Sequence, residues 1–184
     1  MNRKYADQFE LQTVKTQKGV RKMVVYRGNY FLAKVPAEKL NRYKAALKGT
    51  SLAMATLFIG MGLVNNSGSR IFYVILPYAV LVLPIFFMLV STITFGKTKD
   101  KLTVPEFDKT VGRIKATSIV AFISAAAGVV GGLIYVLSGQ SSTPGREIIF
   151  TAGYAAIAVC AFFSMQIHKN ILFEQMDEKS YEDH

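Results

Sequence analysis

Metal ligation, nucleophilic attack and proton relay would fall to very few side chains here. His168, His184 and Cys160 are the only imidazoles and the only thiol in a chain of 184 residues. A structural zinc needs three or four clustered ligands, and a redox pair needs two cysteines. The sequence offers neither pattern, nor a P-loop, nor a serine-hydrolase elbow. It has no paired carboxylates that could hold the magnesium of a lipid-phosphate transferase. No carboxylate stands inside its long apolar runs, where a cation-coupled exporter would keep one. The sequence therefore predicts a non-enzymatic protein with no catalytic, cofactor-binding or metal-binding residues. His168 reads as a contact at a helix end, and Cys160 as a small packing residue.

What the chain has instead is hydrophobic length. Half of it is apolar, at 51%, while charged residues make up 18% and are gathered in blocks. Four runs carry no Asp, Glu, Lys, Arg or His: Gly49–Ser69, Ile71–Gly96, Ala116–Gly145 and Ile148–Ile167. A helix of about 20 residues crosses the roughly 30 Å hydrocarbon core. The predicted spans start near Ala45, with Lys48 snorkelling to the headgroups, and cover Ile71–Phe95, Ala116–Leu137 and Glu147–Ile167. The first apolar run comes too late for a signal peptide.

The expected fold is an all-α membrane protein of four transmembrane helices, arranged as two hairpins (45–95 and 116–167). Segments 1–35, 96–115 and 168–184 lie outside them. Of the 22 Lys and Arg residues, all but Arg70 and Arg146 fall in those segments and in 36–48. The positive-inside rule puts the basic segments, and both ends, in the cytoplasm. The formal net charge of +10 is thereby assigned to topology and to anionic lipid headgroups rather than to nucleic acid. The lipid-facing basic residues are read as Lys44, Lys48, Arg113 and Lys115.

The halves echo one another. Val35-Pro36, a polar stretch and Thr50-Ser51 precede the first hairpin. Val104-Pro105, a polar stretch and Thr117-Ser118 precede the second. Each hairpin turns through a Gly/Ser loop ending in a lone arginine. The pattern predicts parallel repeats about an axis along the membrane normal. Small residues allow helices to approach closely in lipid. Ser124, Gly128 and Gly132 form one stripe at i, i+4, i+8, and Ala152, Ala156, Cys160 and Ser164 form another. The two are expected to meet, or else to make a homodimer face. Thr56 and Gly60 offer a weaker pair. Pro77 and Pro84 lie about two turns apart on one face of span two, as tolerated kinks.

Residues 9–35 read as a small antiparallel β-meander. Lys18-Gly19 marks one turn and Gly28-Asn29 a two-residue hairpin turn. Such a sheet is marginal alone and needs the membrane surface, the middle loop or a partner. Residues 36–48 read as an amphipathic interfacial helix with Leu40, Tyr43 and Leu47 on one face. The acidic tail from Glu174 reads as a fraying helix end, or as a strip lying against the basic N-terminal region. Asn65-Asn66-Ser67 reads as a chance sequon at the membrane edge.

The stretch Tyr26-Arg27-Gly28-Asn29-Tyr30-Phe31, followed by Val35-Pro36, Glu38, Leu40 and Tyr43-Lys44, resembles small four-span membrane proteins of Gram-positive bacteria. The resemblance implies a bacterial cytoplasmic membrane and supplies no functional residues. The sequence leaves two functional readings ahead of a third, a lipid-modifying enzyme dependent on His168. One is an accessory or scaffold subunit whose basic face docks lipid or a protein. The other is a small homo-oligomeric transporter or channel. The orientation is directly testable with a Cys160→Ala chain carrying one new cysteine. At Ser69, a membrane-impermeant maleimide labels intact cells; at Thr98, labelling requires permeabilisation. The opposite pattern would reverse the topology.

Overall fold

The computed structural model describes residues 9–16, 19–98, 101–139 and 141–176, with side chains from Tyr26 onward. Its elements in chain order are β1 (Phe9–Thr16), β2 (Gly19–Tyr26), β3 (Tyr30–Ala33), α1 (Ala37–Gly62), α2 (Phe72–Lys97), β4 (Lys101–Thr103), α3 (Val104–Phe107), α4 (Arg113–Leu137), α5 (Pro144–Lys169) and β5 (Phe173–Met176). A short 3₁₀ turn at Ser67–Arg70 opens α2, and a π-helical turn at Asp108–Gly112 joins α3 to α4. Four of the helices are long and apolar enough to cross a membrane. By length and composition this is a multi-pass membrane protein.

The long helices form a ring in which α1 and α4 each pack on both α2 and α5. Met54, Leu81, Met88, Ala125, Tyr154 and Ile157 fill its centre. The outward faces keep large apolar side chains such as Ile59, Phe86, Ile123 and Phe163 exposed. A water-soluble bundle would bury these, whereas lipid solvates them.

The α4–α5 seam differs from small packed on small. Gly128 lies under the Tyr154 ring, and Gly132 lies against Thr151. The expected α5 stripe turns towards α1 instead. Ser164 shares a hydrogen bond with Thr50 (2.7 Å), while Ala152 and Ala156 line an apolar groove between the two helices. Cys160 packs on the central cluster, and Ser124 is half-buried. The glycines of α4 are thus holes for large α5 side chains. Filling them with an aromatic ring gains dispersion contacts that small residues cannot make. The ring also brings a hydroxyl to α2, where Tyr154 donates to the Val74 carbonyl at 2.7 Å.

That carbonyl lies next to the break made by Pro77. Both prolines sit within a continuous α2, Pro77 half-buried and Pro84 buried. A proline has no N–H for the carbonyl four residues back, so Pro77 leaves Tyr73 without its helical donor. Gly131 lets α4 approach that site closely, since a Cβ there would come within 2.7 Å of the Tyr73 oxygen.

The non-spanning segments meet at one end of the ring. β3 is the centre of a three-stranded antiparallel sheet with β4 on one side and β5 on the other. Residues before α1, between α2 and α4, and after α5 therefore share that end. Phe31 stacks on Phe107 at 4.0 Å between centroids, and Phe173 meets Phe107 edge-on at 5.1 Å. Leu40, Leu47, Phe95 and Leu102 complete this second core.

Three expectations change here. β1 pairs with β2 from Phe9↔Tyr26 to Thr16↔Gly19, but β3 leaves the meander for its own sheet. A type I′ turn needs positive φ at both central residues, and neither Gly28 nor Asn29 has it. The Tyr26 hydroxyl instead donates to the Asn29 carbonyl at 2.9 Å and accepts from the Val104 N–H at 3.2 Å. The amphipathic segment 36–48 is the first part of α1, with Pro36 at its N-cap, and Leu40 and Leu47 are buried in the protein rather than laid on a membrane surface. The start of the acidic tail is strand β5, where Glu174 pairs with Lys34 at 2.8 Å. The remainder of the tail, 177–184, and Lys18 of the first turn lie outside the described residues.

Gly128→Leu is expected to lower stability by about 1–3 kcal/mol through overpacking against Tyr154. Unfolding by SDS in mixed micelles measures this; an unchanged midpoint would contradict the seam.

Candidate functional site

Polar groups concentrate at the two ends of the ring. At the sheet end, Asn41, Lys44, Ala45 and Lys48 lie at i, i+3, i+4 and i+7 and share one face of α1. The last turn of α2 supplies Ile93, Gly96 and Lys97. Together they line a groove of about 310 Å³. A Cβ added to Gly96 would meet no atom within 4 Å, so the floor is open.

Lys44 is expected from sequence at the headgroups, but it is only 7% exposed. Its ammonium donates to the Thr98 carbonyl at 2.7 Å and lies 5.3 Å from the Phe95 ring centroid. It therefore caps the C-terminus of α2, where the helix dipole favours a cation. Lys48 and Lys97 remain exposed at the mouth. The result is one anchored ammonium and two exposed ones around an apolar floor. That arrangement suits an anionic headgroup whose acyl chain continues along the helices.

The other two expected basic residues lie on α4. Arg113 is half-buried with its guanidinium 5.3 Å from the Phe87 centroid, and Lys115 is exposed. His168, at the end of α5, has Lys115 as a charged neighbour. Its Nε2 is buried with no hydrogen-bond partner among the described residues. No group of three metal-ligating side chains occurs among the described residues.

Between the ends the hydroxyls pair across helices. Ser51 of α1 shares a 2.9 Å bond with Thr92 of α2, while Ser118 of α4 donates to its own Ile114 carbonyl at 2.8 Å and lies 3.7 Å from the Met88 sulfur. These contacts satisfy groups that lipid cannot, and the Ser51–Thr92 bond contributes about 1 kcal/mol.

The turn end holds a feature that escapes the sequence reading. Glu147, in the first turn of α5, is 2% exposed. It accepts from Asn66 Nδ2 at 2.7 Å, from Ser67 Oγ at 2.9 Å and from the Gly68 N–H at 2.8 Å. Gly68 must be glycine here, because a Cβ would lie 2.5 Å from Glu147 Oε2. One carboxyl group thus latches the turn of the first hairpin to the start of the second. The available signal was weak: Glu147 is the sole acid between Asp108 and Glu174, and Asn65-Asn66-Ser67-Gly68 is rich in donors. Arg70 and Arg146 line a polar cleft beside the latch.

Comparison with protein-family models, curated proteins and solved structures gives no match to this chain.

Glu147→Ala is expected to cost about 3 kcal/mol, since it strands three donors at about 1 kcal/mol or more each. Glu147→Gln keeps one carbonyl acceptor and should cost less. Unfolding midpoints in mixed micelles rank the two; equal, small losses would refute the latch.

Proposed function

We propose that this chain is a non-enzymatic accessory or scaffold subunit of a bacterial cytoplasmic membrane, whose basic sheet-end face docks anionic lipid. The groove of Lys44, Lys48 and Lys97 carries this reading. It combines three ammonium groups with an apolar, open floor between two spanning helices. In this reading the sheet end is cytoplasmic, as are both termini. The concentration of Lys and Arg at that end supports the orientation.

The same reading treats the chain as two parallel copies of a strand–helix–hairpin unit. β3 and β4 pair antiparallel, as strands related by a two-fold axis would. α1 and α4 occupy opposite corners of the ring, and Thr50-Ser51 and Thr117-Ser118 recur in the two helices. The transporter alternative draws on the open groove of about 370 Å³ between α1 and α5, floored by Gly60 and Gly153, as a seat for a second copy. The ring itself is filled with apolar side chains, so a path would have to form between copies.

Each exposed lysine near an anionic surface contributes about 1 kcal/mol. Removing two in Lys48→Gln/Lys97→Gln is therefore expected to weaken cardiolipin or phosphatidylglycerol binding about 30-fold. Phosphatidylcholine binding should not change. Native mass spectrometry of the chain in mild detergent reads both. Equal retention of anionic lipid by parent and variant would defeat the reading.

A further inference from the structure

The two arginines at the turn end are the exceptions to the charge pattern, and they line the same cleft of about 180 Å³. Arg146 Nη1 donates to the Asn65 carbonyl at 3.1 Å, which fixes one edge of its guanidinium and leaves the other donors free. Arg70 is exposed and makes no hydrogen bond or ion pair with another described residue. Glu147 is the nearest acid, but its oxygens are taken by the three donors of the latch. Neither arginine forms an ion pair with it. Two guanidinium groups thus line one cleft and neither is in an ion pair, an arrangement that favours a bound anion.

A second observation lies at the base of the same cleft. Asn66 is 3% exposed, and its Oδ1 is buried without a hydrogen-bond partner among the described residues. Its Nδ2 is committed to Glu147, so the amide cannot turn its donor side round. A buried acceptor left unpaired is costly, so this position calls for a donor. The site therefore asks for two things at once: an anion at the arginines and a hydroxyl group that reaches Asn66. A phosphoglycerol headgroup carries both a phosphate and hydroxyl groups. The cleft lies at the mouth of the spans, the depth at which headgroups sit.

The geometry points to a second lipid site at the turn end. Arg70 and Arg146 hold the phosphate of a phosphatidylglycerol-type headgroup, and Asn66 accepts from its glycerol. The site is distinct from the lysine groove and lies at the opposite end of the bundle. The Glu147 latch preorganises it by holding Asn66 in place before the lipid arrives.

The test uses the full chain in a zwitterionic detergent, titrated with phosphatidylglycerol and read by native mass spectrometry. Lys48→Gln/Lys97→Gln serves as the background, so that the sheet-end groove does not contribute. One lipid is expected to bind that background. Arg70→Gln/Arg146→Gln should weaken it at least about tenfold, as loss of charge-assisted bonds does. Both arginines are exposed, so the fold should survive, and an unchanged thermal midpoint checks this. Ser142→Glu, which adds a carboxylate to the lining of the cleft while both arginines stay in the chain, should also abolish binding. Undiminished affinity in either variant overturns the proposal. So does displacement by an equal concentration of inorganic phosphate, which would mark a site for the free ion. Loss of the lysine-groove lipid alone bears on the sheet-end reading and not on this one.

Discussion

Lipid offers no hydrogen bonds, so every polar group within the spans must find its partner inside the protein. This constraint decides which side chains meet. Pro77 removes a donor from α2, and the surrounding helices respond at that height: Gly131 brings the α4 backbone against Tyr73, and Tyr154 carries a hydroxyl to Val74. Thr50, Ser51, Thr92, Ser118 and Ser164 likewise point at one another, at sulfur or at their own backbone. The apolar residues have no comparable demand, because lipid is as good a neighbour as another leucine. The polar minority therefore sets the rotation of each helix.

The same constraint explains why the ends of the ring are tied so differently. Outside the spans water returns and burial of apolar surface is again favourable. At the sheet end this produces an ordinary small core of Phe31, Phe95, Phe107 and Phe173 beneath three strands. The strands come from three distant parts of the chain, so the sheet closes the ring much as a clasp does. At the turn end the loops are too short for a core. A single carboxyl with three donors does the joining instead.

The spans were legible because composition alone marks them: an uncharged run of sufficient length has few other fates. Pro36 and Pro105, the prolines of the internal echo, stand at helix starts, and Pro105 sits within a capping box formed by Thr103 and Glu106. Partnership between helices was not legible. Gly128 and Gly132 pack closely, yet the rule of small on small chose Ala152 and Ala156 for them, where Tyr154 and Thr151 fill the holes. Spacing along one helix says which residues share a face but not which face of a neighbour they see. The pairing of β3 was hidden for the same reason. Tyr30–Ala33 carries a strand signal, but its partners lie about 70 and 140 residues on, and Gly28-Asn29 mimics a local turn. Lys44 lies deeper than a snorkelling lysine, because a helix C-terminus stands within reach of its ammonium while it lines the groove.

Charge forms a pattern at both scales. Along the chain it separates the basic segments from the two short turns. In space it gathers Lys44, Lys48 and Lys97 at one end and leaves Arg70 and Arg146 together at the other. Orientation needs only a difference between the ends, and that difference would be larger without the two arginines. Their presence in one cleft, beside a buried glutamate that pairs with neither, therefore has no explanation in topology. It has one in recognition: a guanidinium held by an Asn65 carbonyl is a directed donor, and a second one in the same cleft suits the pair to an anion that offers several oxygens.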